Sequence, residues 1–148
     1  MLNVFRDRAN EITSSKGFWD DYKIIMKKVR DACINNGTAL FNDQEISRID
    51  EAFSNERLLM VISEIGEMVE AKRSGKKADW KSYNKVNNIG FDPKAFKKHI
   101  KDSPEDELAD AIIRIFSLAG LEGIDLQKHV SHKLIYNDSR EYLHGKKF

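Results

Sequence analysis

Two pairs of acids three residues apart, Glu64 with Glu67 and Glu107 with Asp110, are the residues in this chain most able to do chemistry. Residues three apart project from adjacent turns of one helix side. At about 100° per residue, Leu58, Ile62, Ile65 and Val69 form an apolar face of the segment Glu56 to Arg73, while Met60, Met68 and Ala71 flank Glu64 and Glu67. Carboxylates hemmed in by apolar neighbours are costly unless a cation neutralises them. The segment Glu105 to Ala119 repeats the pattern: Leu, Ile, Ala and Phe cover most of the circumference, and one narrow stripe carries Glu107, Asp110, Arg114 and Ser117. A helix apolar nearly all round is a buried one, so its polar stripe must meet partners inside the protein. The stripe carrying Glu64 and Glu67 is the obvious complement. Oxygen donors alone suit a hard cation, Mg²⁺ or Mn²⁺, rather than zinc, which prefers His and Cys. Arg114 reads as a counter-ion for Asp110.

A third constellation lies near the end of the chain. Lys133, Asn137 and Arg140 fall within roughly 60° of one another on a helix. An Arg fork, a mobile Lys and an amide on one face suit phosphate oxygens, and a cation-bound polyphosphate needs such partners beside the acids. His129 and His144 read as surface residues. Phe18 and Trp19, after Gly17, read as a pair that anchors a loop on the core, with stacking on a planar ligand as the rival use.

The elements that must carry these groups are helical. With 2 Pro and 8 Gly in 148 residues, a turn-rich β fold is disfavoured, and the length allows one domain with a real core. Val4, Phe5 and Ala9 mark a helix from Leu2 to about Thr13. Tyr22, Ile25, Met26, Val29 and Ala32 mark a second, ending at Asn35-Asn36-Gly37. A polar lead-in follows, with Asp43 as candidate N-cap, before a central helix from about Ser54 to Arg73. Residues 76 to 101 read as the least regular stretch, with eight lysines against Asp79 and Asp92 and a short helix starting at Asp92-Pro93. Such a basic excursion either attracts a polyanion or is a solvated loop. Ser103-Pro104-Glu105-Asp106 then supplies a cap, a first-turn Pro and first-turn acids. That helix ends between Gly120 and Gly123, and Asp125 caps a last helix running to about Leu143.

A net charge of +1 gives no bulk reason to expect a nucleic-acid polymer or a membrane as partner. No apolar run approaches a membrane span, and the N-terminus becomes charged at once. Cys33 stands alone, so no internal disulfide forms, and a reducing, cytoplasmic setting is expected.

Taken in order, Glu64-x-x-Glu67, Glu107-Leu-Ala-Asp110, Gly123-Ile-Asp-Leu126, Lys133-x-x-x-Asn137-x-x-Arg140 and the tail His144-Gly-Lys-Lys-Phe148 resemble the MazG-type all-α nucleoside triphosphate pyrophosphohydrolases. The likeness covers about residues 54–75 and 104–148, with a weaker echo at Lys16-Gly-Phe-Trp19. It implies an antiparallel four-helix-type bundle with extra N-terminal helices, one domain over 1–148, assembled as a homodimer or homotetramer. It implies Mg²⁺ (or Mn²⁺) on Glu64, Glu67, Glu107 and Asp110, with Glu64 or Glu67 as base. Lys133, Asn137, Arg140 and Trp19 match the substrate side. The reaction implied cuts a nucleoside triphosphate between its α and β phosphates. Two features depart from the family pattern: Ser63 stands where many members carry a further acid, and residues 76–104 align with no part of it. A phosphoribosyl-nucleotide pyrophosphatase and a non-catalytic nucleotide-binding oligomer are the alternatives. A di-iron carboxylate protein is disfavoured, because no Glu-x-x-His pair is present.

Overall fold

The computed structural model describes residues 1–35, 41–86 and 90–141, with side chains left out at 33–35. Among the described residues the regular structure is helical throughout, as expected: α1 (Leu2–Ser15), α2 (Asp20–Asn35), α3 (Asp43–Arg73), α4 (Trp80–Val86), α5 (Pro93–His99), α6 (Pro104–Leu121) and α7 (Leu126–Asp138). Cys33 and His144 fall outside the described side chains, as do Asn36-Gly37 and the tail from residue 142.

The central helix α3 is longer than its apolar pattern announced. It starts at Asp43 rather than near Ser54, because Asn42, not Asp43, closes a capping box. The Asn42 side chain accepts from the Glu45 N–H at 3.0 Å, and the Glu45 carboxylate accepts from the Asn42 N–H at 2.8 Å. Acids in the first turn and Lys72 and Arg73 in the last agree with the helix dipole, so the polar lead-in is helix. At 31 residues α3 spans about 46 Å. The start of α6 is as its sequence signals: Ser103 accepts from the Asp106 N–H at 3.2 Å and Pro104 takes the first turn.

Helix α6 lies against α3 on one side and α1 on another. α3 and α6 run antiparallel, since Ser54 bonds Glu122 and, further along, Glu64 bonds Arg114. On the α1 side Phe5 stacks on Phe116 with ring centroids 6.3 Å apart. Gly120 sits so close to α1 that a Cβ there would lie 2.6 Å from Asn10 Cβ. Arg6 donates to the Ile124 carbonyl and Asn3 to Asp125, both at 2.7 Å, tying α1 to the turn before α7. Tyr22 of α2 packs edge-on to Phe53 of α3 and donates to Asp50 at 2.6 Å.

The apolar face of α3 does not form the core. Leu58, Ile62, Ile65 and Val69 are exposed, as are Leu108, Ile112 and Ile115 of α6. The buried contact is made instead by Glu64, Ala71, Glu107, Ala111, Ser117 and Leu118. Small side chains let the two backbones approach. The wide aliphatic stripes are thereby left facing outward.

Residues 76–101 are also more regular than expected. α4 and α5 enclose their own small cluster of Tyr83, Ala95 and Ile100, with Ala78 and Phe96 packed against it. Asp92 caps α5 and the Asp79 N–H donates to the His99 carbonyl at 2.8 Å. The eight lysines stand outside this cluster, exposed. α7, capped by Asp125 as expected, ends at Asp138 rather than Leu143 and buries no residue. His129 is on the surface.

Candidate metal centre

α3 and α6 bring three carboxylates to one point. Glu64 from α3, with Glu107 and Asp110 one turn apart on α6, place oxygens all within 4.8 Å of one another. Glu64 is 5% exposed and Glu107 6%, while Asp110 is the most open of the three. The facing of the two polar stripes is therefore as their sequence suggested. The counter-ion is different: Arg114 Nε donates to Glu64 Oε1 at 2.5 Å, so the guanidinium pairs across the helices with Glu64 rather than along α6 with Asp110. Asp110 still feels it as a nearby positive charge.

Glu67 is exposed and is not one of the three whose oxygens converge. It accepts from Ser63 Oγ at 3.5 Å, and its charge is among those acting on Glu107. It thus stands on the rim, where α3 with Glu70 and the stretch bearing Lys76 and Asp102 frame a shallow hollow reaching Glu107.

Burial pushes the Glu107 carboxyl above its ordinary value, and the charges of Glu67, Asp110 and Glu64 push it further. Burial likewise raises Asp110, helped by Asp106 and Glu64 and opposed by Arg114 and Lys101. Both shifts express acid groups crowded together out of water. Three carboxylates against one guanidinium leave a charge deficit of two, which a divalent ion offsets. The cluster can hold a metal ion, and an all-oxygen donor set fits a hard one.

Beside the cluster opens a cleft of about 250 Å³ between the α1–α2 turn, α3 and α6. Its walls are largely apolar, from Phe18, Trp19, Met60 and Ile113, and Asp110 and Arg114 belong to its lining. Trp19 is 3% exposed, donates from Nε1 to Asn10 at 3.2 Å, and carries the Arg57 guanidinium over its ring at 5.0 Å. It anchors the turn on the core, as read from the sequence, and also lines the cleft. Phe18 instead stands exposed at the cleft's edge.

Lys133 and Asn137 are exposed on α7, whereas Arg140, expected on the same helix face, follows its end and is exposed there. Lys133 Nζ and Arg140 Cζ sit 4.9 and 5.8 Å from the Tyr136 ring centroid, and within one chain none of the three lines the cleft or the acidic hollow. Two residues that sequence reasoning passed over do line it: Arg57, and Ser117, which was seen only as part of a stripe. The signal for Arg57 was its place seven residues before Glu64, on the same side of α3. No family model, no curated protein and no solved structure matches the chain.

Proposed function

We propose that this chain is a Mg²⁺-dependent nucleotide pyrophosphohydrolase that cuts a nucleoside triphosphate between its α and β phosphates, releasing the monophosphate and pyrophosphate. The observation that carries this reading is the position of Asp110, which belongs both to the carboxylate cluster and to the wall of the largely apolar cleft. A ligand with a planar apolar end and a polyanionic end matches that junction.

Glu64, Glu107 and Asp110 would hold the metal, with Glu67 beside them. When bound, the ion would supply Lewis-acid polarisation of phosphate oxygens and neutralise charge on the leaving group. The chain's own groups do the rest. Glu67, open to solvent and not bonded to Arg114, would take the proton from an attacking water. Arg114 holds Glu64 in place through Oε1 and limits the repulsion within the cluster. The walls of the cleft keep water from one side of the substrate.

A homodimer or homotetramer is part of the same reading. A continuous outward stripe of Leu58, Ile62 and Ile65 on a long helix favours burial against a second copy. Leu126, Val130, Lys133, Leu134 and Asn137 form one face of α7 by helical spacing, and Arg140 follows its end, so a copy docked through that face would bring cations with it.

Incubation with each NTP and dNTP and Mg²⁺ tests the reading. Monophosphate plus pyrophosphate are expected, with loss of at least a hundredfold in rate for Glu67→Gln or Asp110→Asn. Diphosphate plus phosphate would assign a different chemistry. The Arg114–Glu64 ion pair favours one rival, a nucleotide-binding protein without turnover, because it already satisfies part of the cluster. That rival binds nucleotide, releases no pyrophosphate, and keeps its binding in Glu67→Gln.

A further inference from the structure

We propose that α4 and α5 together form a docking surface for single-stranded nucleic acid, with lysines set on the phosphates and the rings of Trp80 and Phe91 offered to the bases. Lys81, Lys85, Lys94, Lys98 and the two rings line neither the cleft nor the acidic hollow, so the surface is independent of the nucleotide reading above.

The chain's near-neutral total hides a separation of charge. Eight lysines against two aspartates put residues 76–101 at +6, and because the whole chain carries +1 the remainder carries −5. Both aspartates are engaged by backbone: Asp79 accepts from the Ser82 N–H at 2.9 Å, and Asp92 from the N–H groups of Lys94 and Ala95 at 2.9 and 3.3 Å. Among the described residues, Lys101 alone of the eight lysines is in an ion pair, with Asp102. Helical spacing sets Lys81 and Lys85 on the side of α4 opposite buried Tyr83. It likewise sets Lys94 and Lys98 on the side of α5 opposite Phe96, which packs on the same cluster. Like charges four apart oppose the helix that carries them, so counter-charge from outside would stabilise both helices.

The rings decide which polyanion fits. Trp80 is 51% exposed and Phe91 69%. They end a row of ring contacts that runs from Trp80 through Tyr83 and Phe96 to Phe91, with neighbouring centroids 5.5, 6.4 and 5.6 Å apart. The packed middle of the row holds its two ends in place. An unpaired strand supplies a planar base to stack on such a ring beside every phosphate, whereas a duplex keeps its bases stacked on one another. A lipid surface asks for one continuous apolar face, and here the two exposed rings are parted by Tyr83 and Phe96. With no arginine in 76–101 the surface lacks the forks that read base edges, so binding is expected to be indifferent to sequence.

Fluorescence anisotropy of the full chain with a labelled oligothymidylate of about 16 nucleotides, in about 50 mM salt, tests the proposal. Binding is expected, tighter than to a duplex of the same length and weakening steeply as salt rises. Lys81→Gln with Lys85→Gln, or Lys94→Gln with Lys98→Gln, should flatten the slope of log K against log salt by about 0.7 per lysine removed. Trp80→Ala should weaken binding about fivefold or more while leaving that slope unchanged. Phe91→Ala should act likewise, and because Phe91 touches Phe96 rather than Tyr83, it keeps the test open if losing Trp80 disturbs α4. The charge-matched pair Lys27→Gln and Lys28→Gln, exposed on α2, should leave binding unaltered. No binding, binding that every variant leaves untouched, or a preference for duplex would overturn the proposal. Displacement by inorganic polyphosphate with no loss in either aromatic variant would overturn it too, and so would tighter binding to phosphatidylserine vesicles, which would make this a membrane-facing surface. All these readouts stand whether or not the chain hydrolyses nucleotides.

Discussion

Arg114 Nε meets Glu64 Oε1 at 2.5 Å across the α3–α6 contact, and this pair ties the two helices together at the point where three carboxylates converge. The guanidinium side chain is 33% exposed and the carboxylate 7%, so the acid depends on the arginine more than the reverse. An acid buried that far from water is tolerable only while something positive stands beside it.

Replacing Arg114 by Met leaves Glu64 buried among acids. Loss of about 2–3 kcal/mol of metal-free stability is expected, at or just below the low end of the range for a broken buried pair because Arg114 is partly solvated. Mn²⁺ should bind this variant more tightly than the wild type, since a competing cation is gone. Denaturant unfolding with and without Mn²⁺ reads both effects. An unchanged midpoint without metal would show the pair to be energetically idle.

Stability should also depend on pH in a way that metal reverses. Glu107 and Asp110 are raised above their ordinary values, so their protonated forms favour the folded state. Their contribution is complete below the unfolded value near about 4 and is lost as pH rises through the raised values. Asp125 works oppositely: the Asn3 amide and the Lys128 backbone N–H hold it low, so its contribution is present above the ordinary value and lost as pH falls through the lowered one. Without divalent ions, the melting temperature is expected to rise as pH drops through the raised values toward the ordinary carboxylate value of about 4, then to fall in stronger acid. Saturating Mn²⁺ should flatten the first limb. A metal-free melting temperature that falls steadily from neutral pH downward would contradict the crowding of these acids.

Gly120→Ala tests the seat of α1. The added methyl meets Asn10 Cβ at 2.6 Å and the Arg6 carbonyl at 3.3 Å, contacts that only backbone movement relieves. A loss of about 1–3 kcal/mol is expected, against a small gain if the site were open helix. Because Asn10 also accepts from Trp19, tryptophan fluorescence should shift along with the unfolding midpoint.

Sedimentation addresses the outward stripe. The wild-type chain is expected to run as a multiple of 17.1 kDa, and Ile62→Glu with Ile65→Glu to release the single chain without loss of helix content. A wild type that sediments as a single chain at micromolar concentration would leave the stripe without a role.

Much of the site was legible from spacing. Glu107 with Asp110 three residues on, and Glu64 on a second amphipathic segment, announced two polar stripes that face each other, and Ser103-Pro104 announced where α6 begins. Glu67 lay in the same motif, about 60° around the helix from Glu64, but reaches only the rim, although the same spacing brings both Glu107 and Asp110 of α6 into the cluster. The α3 start was missed, since a cap depends on which side chain folds back to the backbone, and Asn42 and Asp43 are both able to.

The sequence by itself determined the helical character, the two acid pairs from which the three converging carboxylates come and the ends of α6, because each follows from local propensity, capping and a 3.6-residue period. Tertiary structure alone decided which stripe turned inward, that Arg114 pairs with Glu64, that residues 76–101 hold a cluster of their own, and that α7 stays clear of the carboxylates. Periodicity fixes only the angle between two faces of one helix. Which face is buried depends on how closely a neighbour approaches, and here Ala71, Ala111 and Ser117 made the polar side the one that fits.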